Sequence, residues 1–406
     1  MKKLISILLA VCMILSLVSC IANVLPEIPE EEAEPPPEEN NYKQEQIPTP
    51  TMPPVDTDEV DMVGGKILLF TAAIGSNFEY DPLYTYARTV VELYPDRTIH
   101  LNVPKEFSFE GCSDLWIENS MQAIEAELIC KKVNVFIFLD YWIEHNPIFA
   151  QRISELRPDI FIIELLPSAF METRYNNYIA IGIELSLIGR AIQQAKLMGV
   201  ENLVFYVDVH PATGEIANKY ILEIVREECK NHEIKLIEQK IRTPVRLDGH
   251  IVEDIGIWGR NTMFFSNLFV ASIDISFASI SAGALAIPAF PAPDMSNFLR
   301  LITHPVFFGD YDWQQEKLIE FLEEHDAIGR LAVWRIPFAH ISLIAAVEYA
   351  IGYMDGVIES KTDYDALYEC FRRGFELLGF PDTHFELSLL EGYDNVFLFL
   401  QEYVVF

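Results

Sequence analysis

Basic residues are scarce in this sequence of 406 residues. It contains 29 lysines and arginines against 61 aspartates and glutamates, a formal net charge of −32. Proteins that bind nucleic acids or anionic lipid surfaces through charge need clustered lysine and arginine. The composition therefore argues against nucleic acid as a partner. It favours solubility at a cell surface as the reason for the acidic excess.

Cysteines are also few, six in all, and none has CxxC spacing. A chain of this length does not need disulfides to be stable, and a zinc cluster requires closer spacing. We expect Cys112, Cys130, Cys229 and Cys370 to be mostly buried thiols. A Cys112–Cys130 disulfide remains open as an alternative.

Sequence signatures of enzymes are missing. The glycines before Lys66 lack the further upstream glycine of a phosphate loop, no GxGxxG occurs, and the SISAG segment at 279–283 has serine where a nucleophile elbow needs glycine. Each pattern fails at a residue that its geometry requires. We therefore expect a protein that is not an enzyme and that carries no cofactor.

The first twenty residues have the order of an export signal. Met1-Lys2-Lys3 precedes an apolar run over 4–18, which is too short for a comfortable membrane span. The run ends in Leu17-Val18-Ser19-Cys20, which resembles the lipobox of bacterial lipoproteins. That resemblance implies that residues 1–20 are a signal peptide and that Cys20 is lipidated. The protein would then be anchored at the extracytoplasmic face of the cell membrane.

Proline and glutamate dominate the segment that follows, as in EEEAEPPPEE at 30–39. Such a segment has too few apolar residues to offset the entropy of ordering and stays extended and solvated. We interpret residues 21–63 as a disordered tether between the anchor and the folded part.

Apolar runs and amphipathic segments alternate from residue 64 onward. The first half predicts strands over 66–71, 98–103, 133–139, 159–165 and 178–183, with helices over 83–94, 115–130 and 147–156 between them. Strands separated by helices of this length pair in parallel through crossovers. The pattern predicts an α/β lobe of three layers, doubly wound, over residues 64–186.

The alternation then starts again. A helix over 187–198, a stop at Gly199 and a strand over 203–207 open a second αβα lobe, which we place at 187–335. Further strands are predicted over 233–240, 263–267 and 284–289, and helices over 215–231 and 313–325. Residues 336–406 are predicted to return with helices over 340–359 and 363–378 and to end in a hairpin over 385–400, packing on the first lobe.

Candidate binding residues follow from one rule. Ligands of parallel sheets bind beyond the carboxyl ends of the strands, where the loops before the helices gather. Aromatic rings there supply contact area, and short polar side chains fix the orientation of a small polar molecule. The rule selects Ser76, Asn77, Phe78, Tyr141, Trp142, Asp208, His210, Ser266, Asn267 and Asp294.

These residues also have ordinary structural interpretations. Ser76, Asn77 and Asp208 could be turn or cap residues only, and the two aromatic residues at 141 and 142 could pack beneath a loop. Asp208 and His210 could begin a metal site, but no third ligand has a recognisable spacing. We therefore expect no metal.

The segment from Lys66 to about Glu359 resembles the type I periplasmic binding-protein fold, which sugar-binding transport proteins share with the effector domains of LacI-type repressors. More narrowly, it resembles a family of uncharacterised bacterial lipoproteins with that fold. The resemblance rests on Arg157-Pro158-Asp159-Ile160, on Gly189 with AKLMGV at 195–200, and on WGRNTMFFSN at 258–267. It implies two αβα lobes joined by hinge crossovers.

The sequence thus predicts a solute-binding lipoprotein that closes over a small polar ligand and serves an ABC transporter permease or a sensor protein. One alternative is a surface lipoprotein of the same fold that acts through protein contacts. Aromatic residues such as Phe264, Phe269 and Phe298 leave room for it. A second alternative is an extracytoplasmic hydrolase that uses Asp208 or His210.

Overall fold

The computed structural model describes residues 65–72, 81–104, 114–130, 132–139, 146–165, 177–183, 186–208, 215–241, 247–266, 269–288, 295–299, 302 and 309–406. Its strands are β1 (Lys66–Thr71), β2 (Thr98–Asn102), β3 (Val133–Leu139), β4 (Phe161–Leu165), β5 (Tyr178–Ile183), β6 (Asn202–Asp208), β7 (Lys235–Ile241), β8 (Thr262–Ser266), β9 (Ala332–Val333), β10 (Phe385–Leu389), β11 (Val396–Gln401) and β12 (Val404–Val405). Its helices are α1 (Pro82–Leu93), α2 (Asp114–Cys130), α3 (Asn146–Leu156), α4 (Leu187–Leu197), α5 (Glu215–Asn231), α6 (Leu247–Trp258), α7 (Phe269–Ser281), α8 (Met295–Leu299), α9 (Tyr311–Glu324), α10 (Phe338–Met354) and α11 (Tyr364–Leu377).

Sheet 1 has the strand order β10-β11-β5-β4-β3-β1-β2 and is parallel except for β10. Alternate side chains of β1 point to opposite faces: Leu69 packs beneath α1 and α10, whereas Leu68 packs beneath α2. A strand covered on both faces must be apolar on both. This explains the continuous run ILLF at 67–70 and gives the first lobe its three layers.

Sheet 2 has the order β7-β6-β8, all parallel. Two isolated parallel bridges extend it, from Met263 to Leu285 and from Ala286 to Leu331 at the start of β9. Helices α4 and α5 cover one face, and α6 and α7 cover the other. The order along the chain is therefore 2-1-3-4-5, which is also the order of β1 to β5 in sheet 1.

Local signals set the ends of several helices. The side chain of Asp81 accepts hydrogen bonds from the backbone N–H groups of Leu83 (2.8 Å) and Tyr84 (3.3 Å), and Pro82 occupies the first helical position of α1. Helix α4 ends at Gly199, whose φ of 85° is costly for other residues. The sequence pattern had placed the stop at this glycine, and the structure confirms it.

The fold class predicted from the sequence is confirmed: two doubly wound αβα lobes joined by hinge crossovers. Two helices were missed. Helix α6 contains Gly249 and Gly256, and α7 is a serine-containing apolar segment, so neither has the strong polar face by which amphipathic helices are recognised. Both become helices because their apolar residues pack against sheet 2.

Candidate ligand-binding cleft

The carboxyl edges of the two sheets face each other. Strand β11 runs parallel to β5 in sheet 1 and ends at Gln401; three residues later Val404 pairs with Val333, the last residue of β9 in sheet 2. Strand β9 ends at Val333, and α10 of the first lobe begins at Phe338. The end of sheet 1 and the end of sheet 2 are therefore only a few residues apart, and a cleft between them is lined by both carboxyl edges.

Three connections join the lobes. They run from β5 to α4, from β9 to α10 and from β11 to β12. Trp334 in the second connection is fully buried and makes edge contacts with Phe399 (5.9 Å between ring centroids), and it lies 6.5 Å from Tyr403 of the third. The Tyr403 hydroxyl donates to the Pro288 carbonyl at 3.1 Å. The second and third connections thus pack as one aromatic hinge.

Two of the predicted binding residues fall within the described part of the chain. Asp208 is the last residue of β6, and Ser266 is the last residue of the neighbouring β8, so both lie at the carboxyl edge of sheet 2. Ser266 is buried, and its hydroxyl donates to the Tyr206 carbonyl at 3.1 Å. The remaining predicted residues, and the side chain of Asp208, lie outside the described residues: Ser76, Asn77, Phe78, Tyr141, Trp142, His210, Asn267 and Asp294.

A polar cluster that the sequence did not predict lies at the edge of sheet 1. The Thr71 hydroxyl donates to Asn102 Oδ1 (2.9 Å) and lies 2.7 Å from His100 Nε2. Because the hydroxyl proton is already directed to Asn102, the imidazole must donate through Nε2–H. Burial and the nearby Arg88 lower the pKa of His100 to about 4, which keeps the ring neutral.

A buried carboxyl group lies on the opposite face of sheet 1. Glu164, one residue before the end of β4, accepts hydrogen bonds from Asn146 Nδ2 (2.9 Å) and from the Tyr178 hydroxyl. Burial raises its pKa to about 7, although both hydrogen bonds act in the other direction. The only sequence signal was one charged residue within the apolar strand FIIEL.

The corresponding position in sheet 2 is also polar. The Tyr206 hydroxyl and Gln239 Nε2 donate to the two carboxyl oxygens of Asp254, each at 2.8 Å. Burial and the hydrogen bond to this carboxylate raise the pKa of Tyr206. This arrangement fixes α6 to β6 and β7, so it supports the edge of the sheet.

A second inter-lobe contact lies beside the hinge. Tyr311, the first residue of α9, has its hydroxyl 2.5 Å from Nδ1 of His340 on α10, and the imidazole stacks on Tyr86 of α1 (4.6 Å, 10°). Burial lowers the pKa of His340 to about 3. The neutral ring therefore joins a helix of the second lobe to two helices of the first.

Buried polar atoms without a partner are concentrated near the hinge. Trp334 Nε1, Arg335 Nε, His340 Nε2 and both amide atoms of Gln401 are buried, and none has a hydrogen-bond partner among the described residues. Such an atom costs about 1–3 kcal/mol when it is left without a partner. Several of them at one junction are typical of a place that a ligand or ordered water completes.

Other candidate groups fall away from the cleft. Cys229 and Cys370 are buried free thiols, and burial raises the pKa of each to about 12. Cys20, Cys112 and the side chain of Cys130 lie outside the described residues. Within the described ranges, no three His, Cys, Asp or Glu side chains gather into a group that could hold a metal ion. In the same ranges, none of the helices combines the length and apolar character needed to cross a bilayer.

No protein-family model matches the chain, and no curated protein matches it. Among solved structures, the chain is similar to a candidate transcriptional regulator from Clostridium difficile 630, with a TM-score of 0.66 and 14% identity over 84% of this chain and 99% of that one.

Two weaker likenesses carry no argument. A periplasmic sugar-binding protein from Legionella pneumophila matches with a TM-score of 0.40 and 12% identity, over 72% of this chain and 96% of that one. A periplasmic ribose ABC transporter protein from Conexibacter woesei matches at 0.38 and 13%, over 55% and 70%.

At 14% identity, the likeness to the Clostridium difficile protein shows the fold alone. It agrees with the topology, in which two sheets of order 2-1-3-4-5 are joined by three connections that bring their carboxyl edges together. The chain has a type I periplasmic-binding-protein-like fold.

Proposed function

We propose that this chain is a membrane-anchored, extracytoplasmic solute-binding lipoprotein. It closes over a small polar ligand and presents the closed form to an ABC transporter permease or a sensor protein. In this proposal residues 1–20 are the signal peptide, 21–63 the tether, 64–186 and 187–335 the two lobes, and 336–406 the return to the first lobe.

One observation carries the proposal. The carboxyl edges of both sheets meet at a junction where Trp334, Gln401 and His340 have buried polar atoms without partners among the described residues. Parallel sheets bind ligands beyond their carboxyl edges. A ligand between two such edges contacts both lobes at once, and unpartnered donors and acceptors there can orient it.

Closure needs no special device. The ligand must bind the closed arrangement more tightly than the open one, and the populations shift by that difference in free energy. The packed hinge of Trp334, Phe399 and Tyr403 gives the two lobes a common pivot. The predicted residues Asp208 and Ser266 would approach the ligand from the second lobe, and Ser76, Asn77, Phe78, Tyr141 and Trp142 from the first.

Native mass spectrometry of the purified full chain in detergent, followed by small-angle scattering, tests the proposal. We expect a co-purified small molecule whose removal increases the radius of gyration and whose return restores it. Asp208→Ala and His210→Ala should weaken its binding. Absence of any such molecule, together with binding of another protein by the unliganded chain, would instead support a surface protein acting through protein contacts. Turnover of the molecule that Asp208→Ala abolishes would establish a hydrolase.

A further inference from the structure

Arg335 differs from the other arginines that the structure describes. Each of the others has a carboxylate or a backbone carbonyl as partner, as Arg97 has Asp355 and Arg330 has the Gly283 carbonyl. Arg335 makes no ion pair or hydrogen bond within the described ranges, and its buried Nε–H has no acceptor there. An uncompensated guanidinium is unexpected in a chain with 61 acidic residues.

The position of Arg335 relates it to the cleft. Its backbone lies in the second connection, two residues after the end of β9 in sheet 2. Its guanidinium carbon lies 5.2 Å from the centroid of the Phe380 ring, in the turn between α11 and β10. That turn is at the carboxyl edge of sheet 1, because Phe385 at the start of β10 pairs with Gln401 at the end of β11. Arg335 therefore reaches from one carboxyl edge to the other.

The surroundings of Arg335 hold the side chain without satisfying it. Phe380 offers a ring face to the cation, and Tyr311 packs edge-on against the same ring at 5.8 Å. Neither ring supplies an acceptor for the N–H groups of the guanidinium. A side chain that is held in place and half-buried loses little entropy when it binds a ligand.

The missing partner has a definite chemistry. A guanidinium presents its N–H groups as a planar fork that matches the two oxygens of a carboxylate, and such charge-assisted pairs are among the strongest hydrogen bonds in proteins. A neutral sugar hydroxyl would fill one donor and leave the charge uncompensated. Arg335 thus favours an oxyanion over a neutral polar group.

We propose that Arg335 binds a carboxylate group of the ligand in the cleft, so that the solute is a small carboxylic acid. This inference rests on the proposed solute-binding function and narrows its ligand class. Closure then brings the carboxylate between the second connection and Phe380, at the pivot of the two lobes.

Matched acid and neutral probes test the proposal on the purified full chain. The pairs are phenylacetate with phenylacetamide, indole-3-acetate with indole-3-acetamide, and D-glucuronate with D-glucose, with inorganic phosphate as a separate arm. We expect at least one acid to raise the thermal midpoint and reduce the radius of gyration, while its neutral partner does neither. Arg335→Gln should weaken that acid by about tenfold or more. Arg335→Lys should recover part of the binding, because it keeps the charge and loses the fork.

Arg372→Gln is the matched control, since Arg372 is exposed on α11 and pairs only with Glu369 and Glu376. It should bind the acid as the unaltered chain does. The proposal is overturned if neutral partners bind as tightly as the acids, if Arg335→Gln binds unchanged, if phosphate alone binds, or if no acid of the panel binds. Closure by a neutral compound would reject only the carboxylate; failure of every probe and of every co-purified molecule to close the chain would reject the solute-binding function too.

Discussion

The hydroxyl of Tyr311 lies 2.5 Å from Nδ1 of His340, and this hydrogen bond joins α9 of the second lobe to α10 of the first. The other ring nitrogen of His340 has no partner among the described residues. The imidazole is buried between Tyr311 and Tyr86, and its low pKa of about 3 keeps it neutral at ordinary pH. A neutral, fully buried hydrogen bond between lobes is a contact whose loss both stability and shape should report.

Tyr311→Phe removes this hydrogen bond while it keeps the ring. Because the buried imidazole then has no partner for either nitrogen, we expect the free energy of unfolding to fall by about 1–3 kcal/mol. Urea denaturation followed by circular dichroism measures the change. Tyr368→Phe is the control, since the Tyr368 ring stacks on Phe385 while its hydroxyl has no hydrogen bond among the described residues. Equal effects of the two changes would show that the inter-lobe bond contributes nothing.

Glu164 predicts a loss of stability as the pH rises. Its pKa is raised from 4.5 to about 7 in the folded state, so the folded chain binds the proton more tightly than the unfolded chain does. The resulting stabilisation is present below about pH 4.5 and disappears as the pH rises through 7, with an upper limit of roughly 3 kcal/mol.

Glu164→Gln should therefore be more stable than the unaltered chain at pH 8 and closely similar to it at pH 5. The measurement is the free energy of unfolding in urea at half-unit steps between those values. Glu118→Gln, an exposed position that pairs with Arg152, serves as the control. A constant difference between Glu164→Gln and the unaltered chain across this range would contradict the raised pKa.

His100 predicts a separate loss of stability on the acid side. Its pKa is lowered from 6.5 to about 4 by burial and by Arg88, so the unfolded chain binds the proton more tightly. Stability is full above about pH 6.5 and falls as the pH drops towards 4, by up to about 3 kcal/mol.

His100→Gln keeps a hydrogen-bonding side chain beside Thr71 and removes the titrating group. We expect its stability to depend less on pH between 6.5 and 4 than that of the unaltered chain, as measured by urea denaturation. His250→Gln, at an exposed position on α6, should leave the dependence unchanged. Parallel curves for His100→Gln and the unaltered chain would rule out the low pKa.

Cys20 predicts the membrane anchor. Labelling of bacteria that express the chain with radioactive palmitate should mark the protein, and cell fractionation should recover it with membranes. Cys20→Ser should lose both the label and the membrane fraction, because a thiol is needed for acylation. Cys12→Ser lies within the proposed signal and should keep both. Label on the Cys20→Ser protein would contradict the assignment.

The buried strands of sheet 1 could be predicted because they are apolar on both faces. Lys66–Thr71, Val133–Leu139 and Tyr178–Ile183 have the limits in the structure that the apolar runs indicated. Strong caps and stops, such as Asp81 and Gly199, act within a few residues of their own position. Helices α6 and α7 were missed because their helical form depends on packing against sheet 2.

The candidate site divides in the same way. The rule for parallel sheets placed Asp208 and Ser266 at a carboxyl edge from the sequence, because each ends an apolar strand. No rule of spacing could pair Tyr311 with His340, Glu164 with Asn146, or Arg335 with Phe380. Each pair is assembled by elements that are distant in the chain or by a connection between lobes.

The sequence by itself determined the alternation of strand and helix, and with it the αβα layers, because burial on two faces demands apolar runs of defined length. Only the tertiary structure decided that the carboxyl edges of the two sheets meet at Trp334, Gln401 and Val404. It also decided that Arg335 reaches this junction without a partner among the described residues. Partnership is a property of the folded arrangement, because a charge is compensated only by groups that packing brings within hydrogen-bonding distance.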